Sequence, residues 1–576
     1  EWPRWYVGGR MNYVESCVDR HARGALADEP AIIWIGDDGD ERWLRYRELQ
    51  HRVSQLAAGL QSLGVQPGDR VALFMPLVPE TAIALFACGK IGAIAIPTFS
   101  GYGAEAVATR LQDSQAKVLI VADGFPRRGR IVSMKETADA AVKLSPSVEH
   151  VVVFRRTGRE IPWAEGRDVW WDELTSGRPV ELEAYDTGVD DPCMIIYTSG
   201  TTGRPKGALH SHAGFPVKAA QDMAHCFDVH QGDRLFWLTD IGWMMGPWAV
   251  MGATMLGATV VLFEGTPDFP DPSRLWEIVE RHRVTHLGIA PTVIRALMSR
   301  GDDWVERHDL SSLLVLGGSG EPWNLGPWLW YFEKAGKSRL PIINYSGGTE
   351  TSGGILGCNT ILPLRPMAFS TAVPGMDAAV FDEAGRSVRD AVGELVVRRP
   401  WVGMTHGFWH DDERYLETYW SRWPGVWAHG DWAVHETGDD ESWFILGRSD
   451  DTLKIAGKRL GPAEVETAAC AHPAVAEAAA IGLPDEVKGE VVAVFAVLRQ
   501  GHEGHEELRR EVRQLVGEHL GKALMPDRVL FVDSLPKTRN AKVMRRVIRA
   551  RYLGQEMGDL SSLENPAAVE EIARAR

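Results

Sequence analysis

Helical and strand patterns alternate along residues 44–125, and this order limits the folds that are open to the chain. Apolar side chains recur at helical spacing through "YRELQHRVSQLAAGLQSLG", which ends at Gly64, and through "PETAIALFACGKIG". Short buried strands are indicated by "RVALFM", "AIAIP" and "KVLIVAD". Strands that alternate with helices in this way predict a parallel sheet covered by helices.

The same alternation returns between "ATVVLF" and "SLLVLGG", which predicts a second wound α/β unit before residue 350. Residues 375–447 change to short strands separated by turn residues, a pattern typical of a small β unit. From about residue 450 the pattern indicates a compact α+β module with a polar tail. The predicted fold is therefore α/β, with a large N-terminal domain (1–449) and a small α+β C-terminal domain (450–576).

Composition and charge narrow the class of protein. The chain has 576 residues, 45% hydrophobic and 24% charged, and a net charge of −16, which argues against a nucleic-acid binder. The six cysteines form no C-x-x-C pair, so neither a disulfide framework nor a zinc site is indicated. No apolar run reaches the ~18 residues of a membrane span. No signal peptide is visible, although the chain begins with Glu1 rather than Met. We expect a cytoplasmic protein.

A glycine-rich loop lies in the stretch "IIYTSGTTGRPKGALHSH", directly after a predicted buried strand. Its glycines allow close approach of the backbone to a ligand, its hydroxyls can donate hydrogen bonds, and Lys206 adds a cation. Such a loop can hold a polyphosphate, but it does not match the G-x-x-x-x-G-K-[ST] pattern. By composition alone, an ordinary flexible loop explains it equally well.

The loop's full string resembles the phosphate-loop signature of the AMP-forming adenylate-forming superfamily, which includes acyl-CoA synthetases, luciferases and non-ribosomal adenylation domains. Three further stretches are similar to the acetyl-CoA synthetase branch: "WYVGGRMNYVESCVDRH", "GDWAVHETGDDESWFILGRSDDTLKIAGKRLGPAEVE" and "LPKTRNAKVMRR". The resemblance covers about residues 2–550. It implies an enzyme that joins a carboxylic acid to CoA.

The resemblance implies two steps and a small domain that rotates between them. ATP and the acid first give an acyl-adenylate and pyrophosphate, with Mg²⁺ bound, and the CoA thiolate then displaces AMP. Catalytic roles fall on Lys542, Lys206, Thr349 and Glu350, and Glu350 is also the expected Mg²⁺ ligand. Nucleotide binding falls on Thr198, Ser199, Gly200, Thr201, Thr202, Gly203, Gly320, Glu321, Pro322, Asn344, Tyr345, Ser346, Asp431, Arg448 and Arg459. The hinge and the CoA side are assigned to Asp450, Lys454 and Gly457.

Three positions depart from the family pattern. Ala541 stands where a glycine usually precedes the catalytic lysine, and Ser346 stands where an aromatic residue usually stacks on adenine. Gly347 occupies the position at which acetyl-CoA synthetases close the acyl pocket with tryptophan. An open pocket predicts an acid larger than propionate, medium-sized to bulky. The remaining predicted pocket residues are Trp243, Met244, Met245 and Ser319, although these side chains are also compatible with simple core packing.

Other functions stay open at this level. The protein could act mainly in the thioesterification half-reaction, load a carrier protein instead of CoA, or bind ligands without turnover. A homodimer is compatible with the sequence. The His-rich stretch "GHEGHEELRR" lacks the H-E-x-x-H order of a zinc site and is interpreted as a solvated helix start.

Overall fold

The computed structural model describes residues 3–198, 205–438, 440–449, 453–455, 458–460, 462–485, 489–520, 525–538, 543–558, 560 and 563–575, with the backbone alone at 453–455 and 458–460. The first strands are β1 (Pro30–Gly36), β2 (Glu41–Arg45), β3 (Arg70–Phe74), β4 (Ile94–Thr98), β5 (Val118–Ala122), β6 (Gly124–Arg127), β7 (Arg130–Ser133), β8 (His150–Phe154), β9 (Asp168–Trp170) and β10 (Pro192–Thr198). After a π-helical turn at Glu15–Asp19, the helices of this part are α1 (Arg20–Ala22), α2 (Tyr46–Ser62), α3 (Pro79–Lys90), α4 (Ala104–Ser114), α5 (Lys135–Lys143) and α6 (Trp171–Thr175).

The middle of the chain continues the alternation. Its strands are β11 (Lys206–Ser211), β12 (Arg234–Trp237), β13 (Thr259–Glu264), β14 (His286–Ile289), β15 (Val315–Gly318), β16 (Ile342–Gly348), β17 (Gly353–Gly357) and β18 (Thr371–Ala372). Its helices are α7 (Phe215–Cys226), α8 (Met245–Met255), α9 (Arg274–Arg281), α10 (Pro291–Met298), α11 (Asp303–Glu306) and α12 (Leu325–Trp330), with a π-helical turn at Tyr331–Ala335 and a 3-10 turn at Thr349–Thr351.

Two large sheets result, as the alternating pattern predicted. One has the order β11-β10-β4-β3-β5-β8-β9 and is parallel except for the β10–β11 pair. The other has the order β18-β17-β16-β15-β14-β12-β13-β1-β2, with antiparallel strands only at its two edges. Strands β6 and β7 form a separate hairpin. The predicted α/β class is confirmed.

Helix α3 is buried along its whole length, which explains the most apolar stretch of the sequence. Lys90 interrupts that apolar stretch, and its Nζ donates to both carboxylate oxygens of Asp19 at 2.8 Å. Both side chains are fully buried, so the pairing satisfies a charge that the core could not otherwise accommodate. Among the described residues, no helix has both the length and the hydropathy needed to cross a membrane.

The last two sheets are antiparallel or mixed. Strands β19 (Ala378–Phe381), β20 (Gly393–Val397), β21 (Trp427–Glu436) and β22 (Ser442–Arg448) form an antiparallel sheet, with α13 (Asp412–Trp420) between β20 and β21. Strands β23 (Leu453–Ile455), β24 (Lys458–Leu460), β25 (Val475–Asp485), β26 (Gly489–Leu498) and β27 (Arg528–Phe531) form the final sheet. Its helices are α14 (Pro462–Cys470), α15 (Glu506–Leu520), α16 (Arg545–Leu553) and α17 (Pro566–Arg574). His505 accepts a hydrogen bond from Leu508 N at 3.2 Å, so the His-rich stretch includes the start of α15.

All six cysteines are free thiols, five of them buried and Cys470 half-buried. Burial raises the pKa of Cys17, Cys88 and Cys470 to about 12. It also raises the pKa of Cys193, Cys226 and Cys358 above the usual thiol value. These thiols are therefore protonated at neutral pH.

Candidate active site

Strands from three different sheets contribute to the candidate active site. Thr198 ends β10, and Lys206 begins the antiparallel β11, directly opposite Thr198. Glu350 lies in the 3-10 turn that follows β16, and Asp431 lies within β21. The glycine-rich loop thus connects two paired strands, and its ends lie close to a carboxylate from the second large sheet.

Glu350 is the acidic group at the centre of this arrangement. Its side chain is buried, with 8% of the residue exposed, and it accepts a hydrogen bond from Thr198 Oγ1 at 3.3 Å. Tyr419 on α13 lies close enough to this carboxylate for its charge to act on the tyrosine hydroxyl. Burial, and the negative charge of Glu350, hold the pKa of Tyr419 well above its usual value. Tyr419 therefore keeps its hydroxyl proton at any physiological pH.

Lys206 is held beside the same tyrosine. Its Nζ lies 5.5 Å from the ring centroids of both Phe408 and Tyr419, within range of a cation–π contact. The cation at the end of the loop thus lies beside the tyrosine that neighbours Glu350. A polyphosphate between them would meet one cation and several hydroxyl donors.

Asp431 lies opposite Arg448 in the pairing of β21 with β22. Its Oδ1 is 3.4 Å from Arg448 Nη1, and its Oδ2 is 3.5 Å from His429 Nε2. Burial lowers the pKa of His429, so the imidazole is neutral, and its Nδ1 accepts from Trp427 Nε1 at 3.4 Å. The proton is therefore on Nε2, facing the Asp431 carboxylate.

Gly348 lies between the two acidic groups. A Cβ at this position would be 3.2 Å from His429 Cε1 and 3.6 Å from Glu350 Oε2. His429 thus lies near both acidic groups, which places the carboxylates of Glu350 and Asp431 in one site. Sequence reasoning missed His429 and Tyr419, because neither lies in a recognisable spacing with Glu350.

The hairpin of β16 and β17 contains the predicted pocket position Gly347. Gly347 pairs with Gly354, after an irregularity between Ser346 and Gly347. A Cβ on Gly347 would be 1.9 Å from Gly353 O and 2.8 Å from Gly354 Cα. The backbone of the partner strand therefore occupies the direction that a side chain would take.

The other predicted pocket residues are partly buried. The ring of Trp243 packs at 5.4 Å on Phe99, which sequence reasoning did not identify. Asp240 joins the two loops that carry these rings, because it accepts from Ser100 Oγ at 2.6 Å and from Gly242 N at 2.8 Å. Burial raises the pKa of Asp240. Partial burial also applies to Met244, Met245 and Ser319.

Several predicted nucleotide residues have side chains that are engaged elsewhere. Tyr345 is buried against Phe227 and Trp248, at ring distances of 5.4 and 5.6 Å, and its hydroxyl donates to Asp222. Its ring belongs to the core, which leaves only its backbone for the predicted nucleotide contact. Asn344 is also buried, and its Nδ2 donates to Met367 O at 2.9 Å.

The predicted adenine loop at 320–322 is held by an ion pair. Glu321 accepts from Thr292 N at 2.6 Å and pairs with Arg295 at 2.8 Å, while Gly320 has a φ of +99°. Pro322 is exposed. Ser346 and Thr349 are partly buried beside Gly347. The remaining predicted residues lie outside the described residues and stay predictions: Ser199, Gly200, Thr201, Thr202, Gly203, Asp450, Gly457 and Lys542. Lys454 and Arg459 are paired in the β23–β24 hairpin, where the backbone alone is described.

Two buried histidines behind the site predict how stability depends on pH. Burial lowers the pKa of His210 to about 3 and that of His212 to about 4, below the usual value of about 6.5 in the unfolded chain. Their contribution is complete above about pH 6.5 and is lost as the pH falls, because the unfolded chain binds protons first. We expect a loss of about 2 kcal/mol per histidine between pH 6.5 and 5.

Urea unfolding at about pH 7.5 and about pH 5 measures this loss. His210→Asn retains a donor for Ser352, whose Oγ is 3.0 Å from His210 Nδ1, and removes the titrating group. The variant should lose less stability on acidification than the unmodified protein. An equal loss in both proteins would contradict the assignment to His210.

Comparison with known proteins identifies the family of this chain. The family model of the AMP-binding enzyme matches residues 18–409, and that of the AMP-binding enzyme C-terminal domain matches residues 464–542. Acetyl-coenzyme A synthetase of Methanothrix thermoacetophila is 42% identical over 582 residues, covering 99% of this chain and 87% of the relative. The enzyme of the same name from Pyrobaculum aerophilum is 42% identical over 589 residues, covering 99% and 88%.

A solved structure extends the similarity to the whole fold. Acetoacetyl-CoA synthetase from Streptomyces lividans matches with a TM-score of 0.91 and 29% identity, covering 99% of this chain and 87% of that one. This similarity covers both large sheets. The chain therefore belongs to the AMP-binding enzyme family, as an AMP-forming acyl-CoA synthetase similar to acetyl-CoA synthetases.

Proposed function

We propose that this acyl-CoA synthetase activates a medium-sized to bulky carboxylic acid, larger than propionate. The acid's carboxylate oxygen attacks the α-phosphorus of ATP and pyrophosphate leaves. The CoA thiolate then attacks the acyl carbonyl and AMP leaves. The observation that supports the size of the acid is Gly347, which has no side chain at the position where the acetyl-CoA synthetase pattern described above implies tryptophan.

The geometry of the hairpin explains why this position is a glycine. Because the Cβ direction of Gly347 meets Gly353 O at 1.9 Å, this hairpin accepts no larger residue there without rearrangement. No indole from β16 can therefore close the acyl pocket in this backbone conformation. The opposite wall, with Trp243 and two methionines, is apolar and adaptable, which suits a hydrocarbon group.

Acetate is the competing substrate. The relatives at 42% identity are named acetyl-coenzyme A synthetases, which favours a two-carbon acid. The Streptomyces lividans structure bears the name of a four-carbon acid, acetoacetate. These acids differ in the volume that they require in the pocket beyond the carboxylate.

The oxygen donors of the site fit the nucleotide and its Mg²⁺. A hard cation bound mainly by phosphate oxygens needs one or two carboxylates and waters, and Glu350 with the hydroxyl of Thr198 supplies such donors. Among the described residues, no group of three or more His, Cys, Asp or Glu is arranged to hold a metal ion without substrate. Mg²⁺, when bound, neutralises phosphate charge. We assign phosphate contacts to Lys206 and Thr349, and ribose contacts to Asp431.

Acid-dependent ATP–pyrophosphate exchange without CoA tests the proposal. The panel is acetate, propionate, butyrate, hexanoate, benzoate and one polycyclic carboxylic acid. We expect kcat/KM for the best acid of four or more carbons to exceed that for acetate by at least about tenfold, since one methylene alone is worth about 10–200-fold. Acetate as the best substrate would overturn the proposed size of the acid.

A pair of variants locates the preference in the pocket. Trp243→Leu removes a wall of the predicted pocket and should raise the benzoate-to-acetate ratio of kcat/KM. Trp163→Leu, at a tryptophan that is 37% exposed and packs on Trp170, should leave that ratio unchanged. Substitution of Gly347 is unsuitable, because any side chain there would distort the hairpin. Conversion of supplied acyl-AMP and CoA, in the absence of exchange with every acid, would indicate the thioesterification half-reaction alone.

A further inference from the structure

Helix α7 contains two oppositely charged residues that are fully buried. Lys218 and Asp222 are 1% and 0% exposed, and they form an ion pair one turn apart on the helix. Both positions lie on the buried side of α7, where charges are not needed for contact with solvent. A buried ion pair also adds little to stability compared with apolar packing. Their contacts outside the helix indicate a different role.

Both residues bind the backbone of Gly354 in β17. Lys218 Nζ donates to Gly354 O at 3.1 Å, and Asp222 Oδ2 accepts from Gly354 N at 3.0 Å. The same oxygen of Asp222 accepts from the hydroxyl of Tyr345 in β16. The ion pair on α7 therefore binds both strands of the hairpin, at the point where Gly354 pairs with Gly347.

The Gly347–Gly354 pair is adjacent to the residues of the candidate active site. Gly347 is followed by Gly348, Thr349 and Glu350, so a shift of the hairpin at Gly347 would move the carboxylate that faces Thr198. The helix also touches the segment on the other side of Glu350. A Cβ on Gly403 would lie 2.7 Å from Lys218 Cβ, and Thr405 N donates to Glu350 O at 3.0 Å.

We propose that Lys218 and Asp222 are positioning residues for adenylation. They fix the β16–β17 hairpin so that Thr349 and Glu350 meet the ATP phosphates, which rests on the roles proposed above for these two residues. Their charge-assisted hydrogen bonds to the N–H and C=O of Gly354 fix the register of the hairpin and its distance from α7. Apolar contacts do not fix these two quantities as specifically. Adenylation depends on that position of the hairpin, while thioesterification of a preformed acyl-adenylate does not need the pyrophosphate contacts.

The chain offers a matched control for this pair. Lys90 and Asp19 are also a fully buried lysine–aspartate pair, with both oxygens 2.8 Å from Nζ, and they join α3 to the first helical turn. Lys218→Met and Lys90→Met each leave one buried carboxylate without its lysine. The two variants should therefore lose similar thermal stability, while only the first should disturb the hairpin.

The experiment measures the two half-reactions separately in each folded variant. Pyrophosphate exchange reports adenylation, and conversion of supplied acyl-AMP with CoA reports thioesterification, both with the acid of the panel that the unmodified protein activates fastest. For Lys218→Met we expect exchange kcat/KM to fall by about 100-fold, as for misplacement of a reacting group by about 1 Å, with thioesterification within about threefold. Lys90→Met should keep both within about threefold.

Asp222→Asn provides a second test that does not depend on the folding of Lys218→Met. Asparagine keeps the size of the side chain but offers one acceptor oxygen where aspartate offers two, so the bonds to Lys218, Gly354 and Tyr345 cannot all remain. It should show the same selective loss of exchange. Equal loss of both half-reactions in the hairpin variants, or unchanged exchange, would overturn the positioning role. Absence of exchange in the unmodified protein would instead overturn the proposed function on which this role rests.

Discussion

Glu350→Gln is expected to lower acid-dependent ATP–pyrophosphate exchange by about 10²–10³-fold, the usual loss when one preorganised electrostatic contact is removed. Glutamine has the size of glutamate and can still accept from Thr198, but it has no charge to bind Mg²⁺. The loss should therefore appear as a higher requirement for Mg²⁺ and a lower kcat. Exchange at increasing Mg²⁺ concentrations measures both quantities.

Glu264→Gln is the control for this prediction. Glu264 is a buried carboxylate at the end of β13, paired with Arg156 at 2.8 Å, and burial raises its pKa to about 7. Its replacement should leave the Mg²⁺ dependence of exchange unchanged. If Glu350→Gln retained the normal Mg²⁺ dependence, Glu350 would not be the metal ligand.

Asp431→Ala is expected to weaken the binding of AMP by about 100-fold. A carboxylate that accepts two ribose hydroxyls makes two charged hydrogen bonds, each worth about 1.5–3 kcal/mol, and the net loss is smaller because this carboxylate already contacts Arg448 and His429 in the free protein. Arg448 and His429 hold one oxygen each, at 3.4 and 3.5 Å, so the carboxylate is oriented before a nucleotide arrives. Isothermal titration calorimetry with AMP gives the dissociation constant directly.

Asp377→Ala is the matched variant in the same part of the chain. Asp377 precedes β19 and pairs with Arg398 and Arg399, both of them at the surface. Removing a surface ion pair costs about 0–1 kcal/mol in stability, and it should not change the affinity for AMP. Equal weakening in both variants would argue against a ribose contact at Asp431.

The sheets were predictable from the sequence because a buried parallel strand is a short apolar run between helical repeats. Candidate site residues could be proposed only where a motif was continuous along the chain, as in the loop that begins after Thr198 and ends at Lys206. Tyr419 reaches Glu350 from a helix 69 residues further on, and no spacing rule connects two such positions. Contacts of this kind depend on how separate sheets pack, which local patterns do not encode.

Tyr345 and Gly347 show where reading the sequence by position alone fails. Adjacent residues of a strand point to opposite faces, so the ring of Tyr345, one position before Ser346, packs in the core. At Gly347 the absence of a side chain was interpreted as an open space. The structure shows in addition that the neighbouring strand's backbone requires the glycine.

An enzyme that forms acyl-adenylates and thioesters must keep these products from reacting with its own sulfur atoms. The nucleophile in such a transfer is a thiolate, and the raised pKa of the six cysteines leaves almost none at neutral pH. Five of these sulfurs are also enclosed by the core. Burial thus gives the protein chemoselectivity, because the acyl group can pass to the thiol of CoA. Acylation of the protein's own cysteines is suppressed by their raised pKa and by the burial of their sulfur atoms.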